Sequence, residues 1–202
     1  MQGHVYLIED NADIRRHLKA MLERFGLSVY EFEAAEEFLA QEMLAAPGVV
    51  ILDMALPGAN GISAFAAMEQ RAWTTPVVFV SGQSEPTEII DAMKMGADNF
   101  LWKPIAADKL IDAVKKAIAL DKEQVRERNR QSSLRERWDE LTDREKEICK
   151  LVINGFQNSQ IARQLDVMPD TIKKHRARIL EKVAVKSVPD LVNLFRDFDL
   201  DA

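Results

Sequence analysis

The sequence predicts an α/β domain built on a doubly wound, five-stranded parallel sheet, followed by an all-α domain of four short helices. Three observations lead there. The first 120 residues alternate short apolar runs with segments of helical spacing. Two of the runs, at positions 49–52 and 77–80, are apolar throughout, which suits parallel strands covered by helices on both faces. After Trp138 the strand-like runs stop.

The expected strands are Val5–Ile8, Leu27–Tyr30, Val49–Leu52, Val77–Val80 and Asn99–Leu101. The clearest helix lies between the first two. Ile14, Leu18, Met21, Leu22 and Phe25 recur at helical intervals, and Gly26 stands where a left-handed cap is favoured. Leu110, Ile111, Val114 and Ile118 form the apolar stripe of a helix that ends the first domain, residues 1–120. The stripe then thins to Val125, Leu134 and Trp138 among Arg, Glu and Gln, so residues 121–138 read as a linker. A helix and a charged tether both fit it. Neither Pro nor Gly occurs from 105 to 154, which favours the helix. In residues 139–202, Thr142 opens the first helix and Gly155 closes it; 158–165 form the next. Pro169 starts a third, running to about Val183, and Pro189 starts the last.

A chain of 202 residues, 47% hydrophobic and 30% charged, can bury a core in each of two domains. Its apolar runs are too short to span a bilayer, and no basic patch precedes the first of them, so a cytoplasmic location without membrane association is expected. The single Cys149 excludes an intrachain disulfide and reads as a packing residue. The net charge of −6 is uneven: residues 1–120 carry 10 basic and 17 acidic side chains, residues 139–202 carry 11 and 12. A nearly neutral C-terminal domain argues against indiscriminate polyanion binding and permits one local basic face.

Polar residues of the first domain sit at strand ends. Glu9 and Asp10 end the first strand, Asp53 the third and Ser81 the fourth; Lys103-Pro104 follows the fifth. A parallel sheet gathers these ends at one edge. Three carboxylates brought together there call for a cation, and hard oxygen ligands suit Mg²⁺. Lys103 would hold a further phosphoryl oxygen, and Asp53, on the strand between the others, is the expected nucleophile. No histidine falls at this edge, so the phosphoryl group is expected from outside.

Residues 3–120 resemble a receiver domain of flavodoxin-like fold. The resemblance rests on Ile8-Glu9-Asp10-Asn11, Leu52-Asp53-Met54 with Pro57-Gly58 and Gly61, Ser81-Gly82, Gly96-Ala97 and Lys103-Pro104. It implies that a sensor histidine kinase phosphorylates Asp53. It also implies that Glu9, Asp10, Asp53 and the backbone carbonyl of Ala55 bind Mg²⁺. Ser81 and Phe100 are implied as switch residues, and the Lys103–Pro104 bond is implied to be cis. Such a protein is a phosphoacceptor regulator, not an enzyme beyond its own phosphotransfer and dephosphorylation.

From Lys173 to Lys182 there are five Lys or Arg, one acidic residue and one His. With Ile172, Ile179 and Val183 turned toward Ile161, Ala162 and Leu165, this basic stripe would face outward, as major-groove reading requires. Residues 139–202 resemble the LuxR-type helix-turn-helix domain of NarL/FixJ regulators, nearest the FixJ branch. The match runs through Leu141-Thr142-Asp143-Arg144-Glu145, Gly155, Asn158, Ile161-Ala162, Leu165, Thr171-Ile172-Lys173, His175, Ile179 and Lys182, and the ending Lys186 to Val192. It implies that Lys173, Lys174 and Ala177 face bases of double-stranded DNA, with Thr171, His175, Arg178 and Lys182 nearer phosphates. Gln157 to Gln160 departs from relatives that place a Lys there, which removes one backbone contact. The expectation is a transcription factor that dimerises when Asp53 is phosphorylated, with RNA polymerase a further candidate partner. The alternatives are a phosphate-independent receiver-fold regulator and an Mg²⁺-dependent phosphohydrolase; the latter needs a second carboxylate where Ala55 stands.

Overall fold

The computed structural model describes residues 2–58, 60–83, 85–196 and 198–200. The chain divides into two compact units, Met1–Arg126 and Glu127–Ala202.

In the first unit, β1 (His4–Ile8), β2 (Ser28–Phe32), β3 (Gly48–Asp53), β4 (Val77–Ser81) and β5 (Asn99–Trp102) pair in parallel in the order β2-β1-β3-β4-β5. Alternation along each strand splits the core in two. Val5, Leu7, Val49, Ile51, Val78 and Val80 pack against Leu18 and Leu22 of α1 (Ala12–Glu23) and Leu110 and Val114 of α5 (Ala107–Asp139). Tyr6, Ile8, Val50, Leu52, Val77 and Phe79 pack instead on α2 (Ala35–Leu39), α3 (Gly61–Gln70) and α4 (Pro86–Lys94) through Phe38, Phe65, Met68 and Ala92. Every strand feeds a helix on one face or the other, which is the doubly wound arrangement. Ile8 is opposite Leu52, Asp53 opposite Val80 and Ser81 opposite Trp102, so the carboxyl ends are level.

The first helix is shorter than its apolar series. Asn11 caps it by accepting from the amides of Asp13 and Ile14, and it stops at Glu23 with Gly26 at φ 75°. Phe25 lies beyond that end and is 45% exposed, so it leaves the core. The periodicity counted it as a helix position; the left-handed turn at Gly26 redirects the chain just after it.

Helix α5 runs unbroken through residues 121–138. The first unit extends past residue 120 because Asp121 is buried, its Oδ2 accepting from the Gly48 amide at 2.7 Å. In the second unit, the end of α5 packs with α6 (Asp143–Ile153), α7 (Asn158–Gln164), α8 (Pro169–Lys182) and α9 (Val188–Leu194). Leu134, Trp138, Ile148, Val152, Ile161, Ile172, Ile179 and Phe195 form its core, with Cys149 among them. Trp138 contributes an edge-to-face contact with Phe195, ring centroids 5.4 Å apart. Among the described residues, no helix is long and apolar enough to cross a membrane.

Candidate functional site

The sheet order reverses between β1 and β3, and the crevice at the carboxyl ends there collects the acidic residues. Carboxylate oxygens of Glu9, Asp10 and Asp53 lie within 4.8 Å of one another. Glu9 and Asp53 are buried and Asp10 is exposed. Gly61 lets the start of α3 close on this edge: a Cβ there would stand 2.5 Å from the Asp53 carbonyl oxygen.

Lys103 Nζ reaches between the two buried carboxylates. It donates to Asp53 Oδ2 at 2.6 Å and lies 2.6 Å from Glu9 Oε2. Both are short contacts between opposite charges, and the Asn11 amide also donates to the Glu9 carboxylate. Asp53 Oδ1 accepts from the Ala55 amide at 3.0 Å. Burial raises the Glu9 carboxyl above its ordinary range; the Asp53 charge adds to this and Lys103 opposes it. Burial pushes the Lys103 ammonium down, but Asp53 and Glu9 outweigh it and hold its pKa above the usual value. Three carboxylates gathered here, two of them buried, with one ammonium among them, are a fit for a hard divalent cation.

Ser81 is fully buried at the end of β4, and its hydroxyl accepts from the Gln83 amide at 3.2 Å. Phe100 is half-buried on β5, edge-to-face with Trp102 at 5.0 Å between centroids. The Lys103–Pro104 peptide is cis.

In the second unit, Asp166 at φ 52° turns the chain between α7 and α8, and Pro169 fills the first turn of α8. Ile172 and Ile179 are buried, which leaves Lys173, Lys174, Ala177 and Arg178 exposed along the helix. Thr171 and His175 are half-buried, and His175 Nδ1 is buried with no hydrogen-bond partner among the described residues.

Residues 5–115 match the response regulator receiver domain, and residues 139–195 match the luxR family of bacterial regulatory proteins. The chain is a response regulator. It is 32% identical to the response regulator protein TodT of Pseudomonas putida over 94% of this chain and 84% of TodT. It is 31% identical to the transcriptional regulatory protein FixJ of Bradyrhizobium diazoefficiens, over 96% of this chain and 94% of FixJ. Its structure resembles that of response regulator StyR with a TM-score of 0.91 and 31% identity, covering 98% of this chain and all of that one. The response regulator therefore joins a receiver to a LuxR-type DNA-binding domain, in a family that regulates transcription.

Lys182 also makes contacts within its own domain. Its ammonium lies 2.6 Å from the buried Glu145 and donates to the Glu140 carbonyl at 3.2 Å, while the side chain stays 35% exposed. Glu145 is the third helical residue of α6 and caps Thr142 in return; that buried acceptor, indistinguishable in sequence from any first-turn Glu, draws Lys182 inward. Three structural cations were also missed. Arg176 pairs with Asn158, Arg144 donates to the Leu165 carbonyl at 3.0 Å, and Arg15 donates to the carbonyls of Glu9 and Asp10.

Proposed function

We propose that Asp53 is the phosphoacceptor through which a histidine kinase controls DNA binding by this chain. The observation that carries this is the pairing of two buried carboxylates with Lys103, beside the exposed Asp10. Glu9, Asp10 and Asp53, with the Ala55 carbonyl, are the residues that would hold Mg²⁺. Bound there, the ion supplies the positive charge that lets an anionic phosphoryl group approach an anionic nucleophile.

A carboxylate oxygen of Asp53 forms the new bond to phosphorus as the bond from phosphorus to the kinase's histidine nitrogen breaks. Lys103, already held at Asp53, stabilises the transferred oxygens. Ser81 and Phe100 are the switch pair: the hydroxyl turns toward the phosphoryl group and the ring moves into the space behind it. The shift need supply only a few kcal/mol of differential stability to change the population that dimerises. Residues 121–138 connect the receiver to the DNA-binding domain. Lys173, Lys174 and Ala177 face base edges, with Thr171, His175, Arg178 and Lys182 near phosphates; Lys182 is paired with Glu145 before DNA binds. A dimer then binds a two-fold site with half-sites spaced by helical turns.

The test uses labelled acetyl phosphate with Mg²⁺ on the full chain. Wild type takes up label that hydroxylamine releases, and Asp53→Asn does not. Beryllofluoride should raise the solution mass to a dimer and tighten DNA binding. Absence of label refutes the phosphoacceptor, while label without any change in mass or DNA affinity supports a phosphate-independent regulator.

A further inference from the structure

We propose that Arg15 is a positioning residue for the acidic loop, fixing where Glu9 and Asp10 present their carboxylates to the divalent cation. This inference rests on the phosphoacceptor reading above.

The sheet ladder that orders β1 ends at Ile8. Beyond it, Glu9 keeps one bond to the sheet, its amide donating to the Phe32 carbonyl at 3.1 Å. The chain then turns through Asp10 and Asn11 into α1, and the carbonyls of that turn need donors from elsewhere. Arg15 supplies them. Its backbone amide donates to the Asn11 carbonyl at 2.9 Å, and its Nη1 donates to the Glu9 carbonyl at 2.6 Å and the Asp10 carbonyl at 3.1 Å. One residue thus holds all three consecutive carbonyls of the loop.

The guanidinium is itself held. Its side chain is 15% exposed, with Nε 4.0 Å from Glu31 Oε1 and Nη2 3.6 Å from Glu33 Oε2. Lys19 pairs with the other oxygen of Glu31. The end of β2 therefore braces Arg15, and Arg15 braces the loop. The next residue makes the contrast. Arg16 has the same charge, but its side chain is 73% exposed and its bonds stay within α1, to Asp13 and the Ala12 carbonyl.

Field and geometry predict opposite signs for the metal. As a cation beside an anionic cluster, Arg15 repels Mg²⁺, so its removal by charge alone would tighten binding. As the donor that orders the ligand backbone, its removal loosens the ligands and weakens binding. Partners that orient metal ligands are worth on the order of tenfold or more in affinity.

The experiment is calorimetric titration of Mg²⁺ into the full chain as wild type, Arg15→Ala, Arg15→Lys and Arg16→Ala. Amide hydrogen exchange is measured alongside in chelator, without metal. Arg15→Ala should raise the Mg²⁺ Kd about tenfold, Arg15→Lys should recover part of that, and Arg16→Ala should leave Kd at the wild-type value. In chelator, the amides of residues 9–11 should exchange faster in Arg15→Ala while those of Val5–Ile8 do not. A Kd for Arg15→Ala equal to or below wild type overturns the proposal. Should Arg15→Ala not fold, Arg15→Met, which keeps the apolar stem, is read in its place. Wild type failing to bind Mg²⁺ would defeat the phosphoacceptor reading instead; loop exchange then decides alone whether Arg15 orders the turn.

Discussion

The Lys182 ammonium lies 2.6 Å from Oε2 of the buried Glu145, which ties the last turn of α8 to the first turn of α6. The same oxygen accepts from the Thr142 amide at 2.9 Å and the Thr142 hydroxyl at 3.0 Å. Removing Lys182 takes the counter-charge from the buried Glu145, but the Lys182 side chain is 35% exposed, so solvent screens the pair in part. Lys182→Met should therefore cost about 1–2 kcal/mol of folding stability, read by urea unfolding with Trp138 fluorescence. A cost indistinguishable from zero would mean that solvent already screens the pair.

The same pair predicts an acid response. Burial pushes the Glu145 carboxyl up, but Lys182 and Thr142 outweigh it and lower its pKa to about 2, from an ordinary 4.5. A folded-state pKa below the unfolded one contributes stability that is present above the unfolded value and lost as pH falls through the folded one. The second unit should lose this contribution between pH 4.5 and about 2. In Glu145→Gln the stability of that unit should be flatter across the window, and an identical slope would remove the carboxylate from the account.

Asp121 makes the corresponding tie in the receiver, accepting from the Gly48 amide where β3 begins. Asp121→Ala leaves that amide without its acceptor in a buried site, at a cost of about 1–3 kcal/mol. Asp121→Asn keeps an acceptor oxygen and should recover part of it. Faster hydrogen exchange at Gly48 in the alanine variant, with the asparagine variant between, is the expected pattern.

The parallel sheet and its acidic edge were legible because period-two alternation, apolar runs and strand-end carboxylates are local patterns that one fold gathers. Glu9, Asp53, Ser81 and Lys103 needed only strand order to meet. Phe25 was misplaced because a left-handed glycine just beyond it overrides periodicity. Arg15, Asp121 and Lys182 were illegible for a shared reason: each bonds a backbone or carboxylate group far away in sequence, or beyond a helix end, and no composition or spacing distinguishes such a side chain from its solvated neighbours. Arg15 and Arg16 are adjacent, with identical side chains and different roles.

Cys149 is buried in the second core, and burial pushes its thiol up to about 12. The thiolate is the reactive form, so native protein at neutral pH should be inert to a disulfide reagent. Reaction should appear only with unfolding of the second unit, in step with Trp138 fluorescence. Rapid modification of native protein would contradict the packing role.

The geometry of α8 separates three cations by their response to salt. Each phosphate that a protein neutralises releases counterions and steepens the fall of affinity with salt. Arg178 is exposed, so Arg178→Ala should weaken DNA binding across sequences and lower the salt slope by about 1. Lys173 is exposed one turn into the helix; if it reads a base edge, Lys173→Ala should cost roughly 1–3 kcal/mol and relax preference at one position. Lys182 already has its counter-charge in Glu145 and releases no counterion on binding. Lys182→Met should then leave the slope of log Kd against log salt unchanged once the folded fraction is accounted for. A slope lowered to the extent of Arg178→Ala would mean that DNA draws Lys182 away from Glu145.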